Sequence, residues 1–448
     1  MAAPPASEGA ARKAIPAHAP PGVPAGLRVA IVTTSFPRDA DDFAGHFVAR
    51  LAEALCLRGH TVEVVAPHAR GLAEREQWHV PGATRQAVWV TRFRYAPESL
   101  EQVAYGDGIP SNLRRHPFAL LALPSFVFAL RRAAERASAD ADVVHAQWAP
   151  TAAIIDTDRL AAPLVVTLHG SDVALAARGG MWQRILRRGL EPPTVAVIAV
   201  SHEMVQQLCQ IVPTSALLSL SVISTGIEPA LLDRPVPDRV KHAPVTVAYV
   251  GRILEAKGVF DLARAFAKLP KRDRLVVAGD GPARGAFASL LSELGVTAGR
   301  VEFLGPVDRE TALDVMARAD IVAVPSHKEG AGLVALEASA MGKCVVGSRT
   351  GVMPEVLDVE QLFDPMDVDG LTSHLTSLAK DARKRTRLGR EARARVAAAF
   401  TWDVLAEQVE VVYLRAALGV AAGEELPDEA NKLRPAGVAA RPGRGDVS

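Results

Sequence analysis

Glu329 and Glu337 stand eight positions apart in the segment 325–346, PSHKEGAGLVALEASAMGKCVV. Gly330 and Gly332 follow the first acid, and Leu333, Leu336 and Ala340 then recur at helical spacing. The pattern predicts a glycine-rich turn running into a helix. The backbone N–H groups of Gly330, Ala331, Gly332, Leu333 and Val334 are expected to point out of that helix start. Unpaired N–H groups and the positive end of a helix dipole make an anion site suited to phosphate. Acids beside such a site are unfavourable unless they hydrogen-bond something else on the ligand, and sugar hydroxyls are the obvious partner. The segment suits a molecule carrying both phosphate and sugar. A helix start with two incidental acids is the alternative for this segment read alone.

Further candidates lie at the ends of short apolar runs. Gly251, Arg252 and Lys257 follow the run 245–250. The glycine permits close backbone approach, and two cations suit a diphosphate; a loop with two solvated bases is the bland reading. Gly279-Asp280-Gly281-Pro282 follows the run 275–278, with Gly285 beyond. A dinucleotide-binding fingerprint wants its third glycine one position earlier. These glycines therefore read as a tight turn, with Pro282 suited to the first turn of a helix. In the first half, His169 follows the run 164–168, with Gly170 beside it and Asp172 three residues on. That setting suits a cleft histidine. Asp172 is either a helix cap or a ligand contact, and Ser201 is either a site hydroxyl or, the favoured reading, an N-cap for a helix from His202.

These motifs need strands to end beneath them. Residues 27–33, 62–66, 88–92, 143–145, 164–168 and 195–200 read as strands, with a helical pattern at 43–57. Strand, helix, strand at this spacing implies right-handed parallel units. After a Pro-rich stretch at 229–244 the alternation restarts at 245–250 and continues through 275–278, 301–304, 321–324 and 344–347. Two doubly wound α/β domains are expected, with ligands beyond the carboxyl ends of the strands.

The run Glu-Gly-Ala-Gly-Leu-Val followed by Leu-Glu-Ala, at 329–338, resembles the E-x7-E signature of the retaining, family 4 type of glycosyltransferase. Gly-Arg…Lys-Gly at 251–258, Gly-Asp-Gly-Pro at 279–282 and His-Gly-x-Asp at 169–172 resemble further elements of that family. The resemblance covers about residues 27–418. It implies the GT-B fold, two Rossmann-like domains facing across a cleft. It divides the chain into an acceptor domain at 27–235, a nucleotide-sugar donor domain at 244–401 and a helix at 402–419 returning to the first domain. It implies transfer of a sugar from a nucleotide diphosphate sugar to a hydroxyl acceptor, with retention. By resemblance Glu329 contacts the transferred sugar and Glu337 the ribose. Arg252 and Lys257 hold the diphosphate, Gly45 lies where first-loop amides reach the diphosphate or acceptor, and His169 and Asp172 serve the sugar or acceptor side. Two departures are visible: Ala331 replaces an aromatic, and Gly45 lacks the common second glycine. No metal is expected, because no Asp-x-Asp motif falls at a suitable strand end and the cations and amides take its place. The donor is a substrate, and no cofactor is expected. A nucleotide-sugar-binding protein without activity and a nicotinamide-dependent oxidoreductase are the competing classes.

The 448 residues carry 51 Lys and Arg against 50 Asp and Glu, a balance that argues against a dedicated nucleic-acid binder. Cys56, Cys209 and Cys344 lack metal-ligand spacing and imply no disulfide framework, so a reducing cytoplasm is expected. Residues 1–26 are Ala/Pro-rich without an apolar core, and 420–448 are rich in Pro, Gly and charge. Both read as disordered extensions. Residues 114–132 hold an apolar core between basic ends, too short to span a bilayer. They read either as a buried helix or as an interfacial patch touching anionic lipid. The second reading would place the protein at the inner face of the membrane with a lipid-linked acceptor. Surface-polysaccharide or glycolipid assembly is the role the resemblance suggests.

Overall fold

The computed structural model describes residues 26–420, apart from residues 40, 41, 43, 81, 84–86, 106–107, 116–117, 191–194, 214–216, 218 and 238–242. The extension expected before residue 26 and the tail expected beyond residue 420 lie outside the described residues.

Fourteen strands are described, in two sheets. The first holds β1 (Arg28–Val32), β2 (Thr61–Pro67), β3 (Arg75–Trp78), β4 (Val88–Phe93), β5 (Val143–Gln147), β6 (Leu164–Leu168), β7 (Val195–Ala199) and β8 (Leu220–Val222). Its order is β3-β4-β2-β1-β5-β6-β7-β8. The second holds β9 (Thr246–Val250), β10 (Arg274–Ala278), β11 (Val301–Gly305), β12 (Ile321–Val324), β13 (Cys344–Ser348) and β14 (Leu362–Phe363). Its order is β11-β10-β9-β12-β13-β14. All described pairings are parallel except β3 with β4. Parallel strands covered on both faces need unbroken apolar sequence. Accordingly β5, β6, β12 and β13 are buried along their whole length.

These are the expected two doubly wound lobes. In each, the strand order reverses at one place, between β1 and β5 and between β9 and β12. Ligands of such sheets collect at that reversal, outside the carboxyl ends of the strands. Three strands escaped the sequence reading. The strand β3 is Arg-Glu-Gln-Trp, a polar antiparallel edge with no apolar run to betray it. The strands β8 and β14 are three and two residues long.

Helices cover both faces of the first sheet. Those at Ala119–Ala139, Ala149–Ile154, Ser171–Ala176, Gly180–Gly189 and His202–Ile211 pack on one core. The helices His46–Leu57 and Trp402–Leu418 pack on the other. The last helix thus belongs to the first lobe, although it follows the second in sequence. Leu405, Val409 and Val412 are buried along its inner stripe, and Gly419 ends it at φ 65°. The two chain crossings between lobes lie side by side. The Ile227 N–H donates to the Phe400 carbonyl (2.8 Å), and the Trp402 N–H donates to the Ile227 carbonyl (3.1 Å). The Pro-rich stretch begins in a 3-10 turn, Pro229–Asp233, with Leu231 in the second lobe's core.

Most of the 114–132 segment lies on one helix with a buried and an exposed face. Ala119–Ala139 buries Phe126, Leu130 and Ala134 while Phe118, Leu121 and Phe128 stay exposed. No helix among the described residues is long and apolar enough to cross a membrane.

Candidate functional site

The reversal between β9 and β12 carries the site. Gly251 and Arg252 leave the end of β9, and Ser326 and Glu329 follow β12. Between those ends lies a pocket of about 250 Å³. Of the residues expected from sequence, Gly251, Arg252, Lys257, Glu329, Ala331, Gly332, Leu333 and Val334 line it. Gly258 explains how Lys257 reaches Glu329. It holds φ 70°, and a Cβ there would sit 1.8 Å from the Pro325 carbonyl oxygen. Only glycine lets the 255–258 turn press onto the end of β12. Lys257 Nζ then lies 2.7 Å from Glu329 Oε2, which also accepts from Ser326 Oγ at 2.9 Å. The Gly330 N–H turns back to Glu329 Oε1 at 3.3 Å.

The helix starts at Leu333, where the helical spacing begins, and Gly332 is its cap residue in the left-handed conformation at φ 59°. Only Leu333 and Val334 of the five expected donors are helical; Gly330, Ala331 and Gly332 form the loop entering it. Lys257 ends a 3-10 turn, Glu255–Lys257, that precedes the helix Val259–Ala267.

Glu337 lies further along the Leu333–Ala340 helix and outside the pocket lining. Arg309 holds it, with Nη2 3.1 Å from Glu337 Oε1. The same guanidinium reaches Glu228 Oε1 at 3.2 Å, and Arg50 of the first lobe reaches that oxygen at 2.9 Å. Burial pushes the Glu337 carboxyl above its ordinary range; Arg309 works against that shift and Glu228 adds to it.

Across the cleft, His169 follows β6. Its carbonyl oxygen is 3.4 Å from where a Cβ on Gly330 would stand, so the two lobes meet here. The ring packs against Phe47 at 4.5 Å between centroids, and Nε2 lies 2.8 Å from Gln147 Oε1. Burial pushes the His169 imidazole down to about 4, so it is neutral at pH 7. Behind it, His145 is fully buried between Tyr413 (Nδ1 to hydroxyl, 2.7 Å) and Thr167 (Nε2 to Oγ1, 2.7 Å). Burial, with His169 as a lesser cause, pushes it down to about 3. Gln147 bridges the two histidines, its amide nitrogen 3.2 Å from His145 Nε2.

Asp172 takes neither role left open for it in sequence. It is buried inside the first turn of Ser171–Ala176, whose cap residue is Gly170. Its oxygens accept the N–H groups of Gly170 and Val173 (both 3.0 Å) and of Ala149 and His169 (both 3.3 Å). The carboxylate pins the loop that presents His169 and does not face the pocket. Ser201 caps its helix, accepting the Met204 N–H at 3.2 Å. Gly45 caps the His46–Leu57 helix, where a Cβ would lie 2.3 Å from the Ser35 carbonyl oxygen. It does not line the pocket, although Phe47 two residues on reaches His169.

The lobes exchange carboxylates at a second place. Glu203 accepts the Gly351 N–H, and Glu355 Oε1 accepts the His202 N–H at 3.1 Å. Sequence reasoning missed Ser326, Gln147 and Arg309. Gln147 ends β5 and Ser326 follows β12, so the rule that singled out His169 applies equally to them. Arg309 carries no local signal. Among the described residues, no group of three or more His, Cys, Asp or Glu side chains could hold a metal ion.

Similarity to known proteins agrees with this geometry. The family model of Glycosyltransferase Family 4 matches residues 44–231, and that of Glycosyl transferases group 1 matches residues 237–395. The chain is 28% identical over 260 residues to the N-acetyl-alpha-D-glucosaminyl L-malate synthase of Bacillus anthracis, covering 56% of this chain and 67% of that protein. Sucrose-phosphate synthase from Thermosynechococcus elongatus shares the fold at TM-score 0.68 and 23% identity, over 86% of this chain and 98% of its own. Anabaena HepE, solved in complex with UDP, shares it at TM-score 0.63 and 19% identity, over 86% and 98%. The chain therefore belongs to the family 4 glycosyltransferases and has their GT-B fold.

Proposed function

We propose that this glycosyltransferase moves a sugar from a nucleotide diphosphate sugar to a hydroxyl acceptor, with retention at the anomeric carbon and without a metal. One observation carries the reading: two cations, a carboxylate and a glycine-rich loop converge on one pocket at the strand reversal of the second lobe. The binding of UDP by Anabaena HepE supports a nucleoside diphosphate as the leaving group.

Arg252, Lys257 and the loop amides stabilise the negative charge that grows on the departing diphosphate. Lys257 leaves its contact with Glu329 to do so. Glu329 then accepts hydrogen bonds from the sugar and supports positive charge at the anomeric carbon. The bond from that carbon to the phosphate oxygen breaks as the bond to the acceptor oxygen forms on the same face. The acceptor proton passes to the departing phosphate. His169, held neutral, orients the sugar or the acceptor through a ring nitrogen. Cell-surface glycan or glycolipid assembly is the role proposed for the product.

The test is release of free sugar and nucleoside diphosphate from a panel of nucleotide sugars, with and without excess chelator. At least one donor is expected to turn over equally in both conditions. An Arg252→Ala, Lys257→Ala double variant is expected to lose at least about 10²–10³ in kcat, by analogy with loss of an oxyanion donor. Full activity in that variant rejects the charge assignment. Binding of a donor with no turnover would make the chain a sugar-nucleotide binder instead.

A further inference from the structure

The helix Ala119–Ala139 packs one face on the first sheet and leaves the opposite face bare. At 100° per residue, Phe126, Leu130, Ala134 and Ala137 fall on one stripe, and all four are buried. Phe118, Leu121, Ser125, Phe128, Arg132 and Arg136 fall on the other. Phe118 is 81% exposed, Leu121 80% and Phe128 63%. Arg132 and Arg136 are exposed as well. The outward stripe is thus apolar over its first turns and cationic over its last ones.

Its place in the fold matters as much as its composition. The helix runs into β5 within a few residues, so its basic end lies at the amino edge of the sheet. Its apolar end lies at the carboxyl edge, where the cleft opens. Phe126 confirms the direction by packing edge-on against Phe93, the last residue of β4, at 5.5 Å, and against Tyr95 at 5.0 Å. The Gly180–Gly189 helix shares this layer. Arg131 Nε and Arg188 Nε donate to the adjacent carbonyls of Ile154 and Ala153, at 3.0 and 3.1 Å. That helix points Met181, 65% exposed, and Arg184 away from buried Leu186.

We propose that this layer docks on an anionic lipid bilayer. The exposed rings and leucine enter the boundary between headgroups and acyl chains, while Arg132, Arg136 and Arg184 pair with headgroup phosphates. Apolar side chains flanked by cations match the two chemistries of such a surface. A second copy of the chain would set these arginines against their own kind. Docked this way, the cleft rim lies at the bilayer, where the acceptor hydroxyl is lipid-borne. This last consequence rests on the glycosyltransferase reading; the docking itself does not.

The test sediments the full chain with vesicles of phosphatidylglycerol and phosphatidylcholine in equal parts, and with phosphatidylcholine vesicles alone. Binding to the first and not the second is expected, with release at about 1 M salt, where the screening length falls to about 3 Å. An F118S/L121S/F128S variant is expected to stay in solution. An R132E/R136E variant is expected to bind at least about 25-fold more weakly, from roughly fivefold per basic side chain lost near an anionic surface. Donor hydrolysis is measured on each variant and is expected to be unchanged, which shows that fold and donor pocket are intact. Absence of vesicle binding overturns the docking, as does equal binding to both vesicle types. So does a dimer in sedimentation equilibrium that the triple serine variant abolishes. Vesicle binding without any donor turnover would leave the docking standing and reject the proposed transfer instead.

Discussion

Lys257 and Glu329 neutralise each other at 2.7 Å. Both are partly solvated, so the pair stabilises by no more than about 1 kcal/mol. A diphosphate must nevertheless displace Glu329 from Lys257 before it gains the full cation. Glu329→Gln removes that competition. The variant is expected to bind a nucleoside diphosphate severalfold more tightly, up to about fivefold from the same free energy, while sugar transfer falls. Isothermal titration alongside a transfer assay checks both halves, and weaker nucleotide binding in the variant refutes the competition. At this scale the sequence is readable where glycine and charge cluster within a few positions. Residues 251–258 and 329–334 announce a turn with ligands on it, and the fold brings both turns to one pocket. Arg309 was unreadable. Its partners Glu337 and Glu228 lie far away in sequence, and only the packing of the Arg309–Arg318 helix joins them. Asp172 was ambiguous for the converse reason. The four amides that claim it come from two separate loops and its own helix turn.

Between elements, the decisive contact is the one from the Trp402–Leu418 helix into the first sheet. Tyr413 meets His145, and Gln147 carries the polar chain on to His169. The two imidazoles are held near 3 and 4, against an ordinary 6.5 in an unfolded chain. Between those values the unfolded chain binds more protons than the folded one, so stability must rise with pH there. The contribution is complete above about pH 6.5 and is lost as pH falls through 6.5 toward 4 and then 3. The melting temperature is expected to drop between pH 7 and 5, and the drop is expected to be shallower in His145→Asn. An equal slope in both proteins contradicts this account. The strands were largely legible, because a parallel strand buried on both faces must be a Val, Ile and Leu run. Where that demand lapses, as at polar β3 or two-residue β14, the signal lapses too. The apolar spacing marks the Leu333–Ala340 helix, but a glycine run does not say which glycine is the left-handed one. The fold makes it Gly332.

For the whole molecule, the two lobes meet at the carboxyl ends of their strands. His169 stands opposite Gly330, and Glu203 and Glu355 reach across to the opposite lobe. The doubly wound pattern foretold two lobes. The carboxylate exchange it could not foretell, since backbone N–H groups leave no mark in composition. The lobes also share material. The first lobe's second core is completed by Trp402, Leu405, Val409, Val412 and Tyr413, which arrive only after the second lobe has been built. Fully burying each such side chain stabilises by roughly 1.5–3 kcal/mol. The paired crossings at Ile227 and Phe400–Trp402 make this a double suspension: one strap can be severed and the other still carries the load. Co-expressed pieces 1–236 and 237–448 should reassemble and co-elute on gel filtration with donor turnover. Pieces that elute separately would mean that the covalent strap alone keeps the halves together. A ribosome making this enzyme leaves its first lobe unsealed until the closing helix emerges, so the protein is finished from both ends of its own chain.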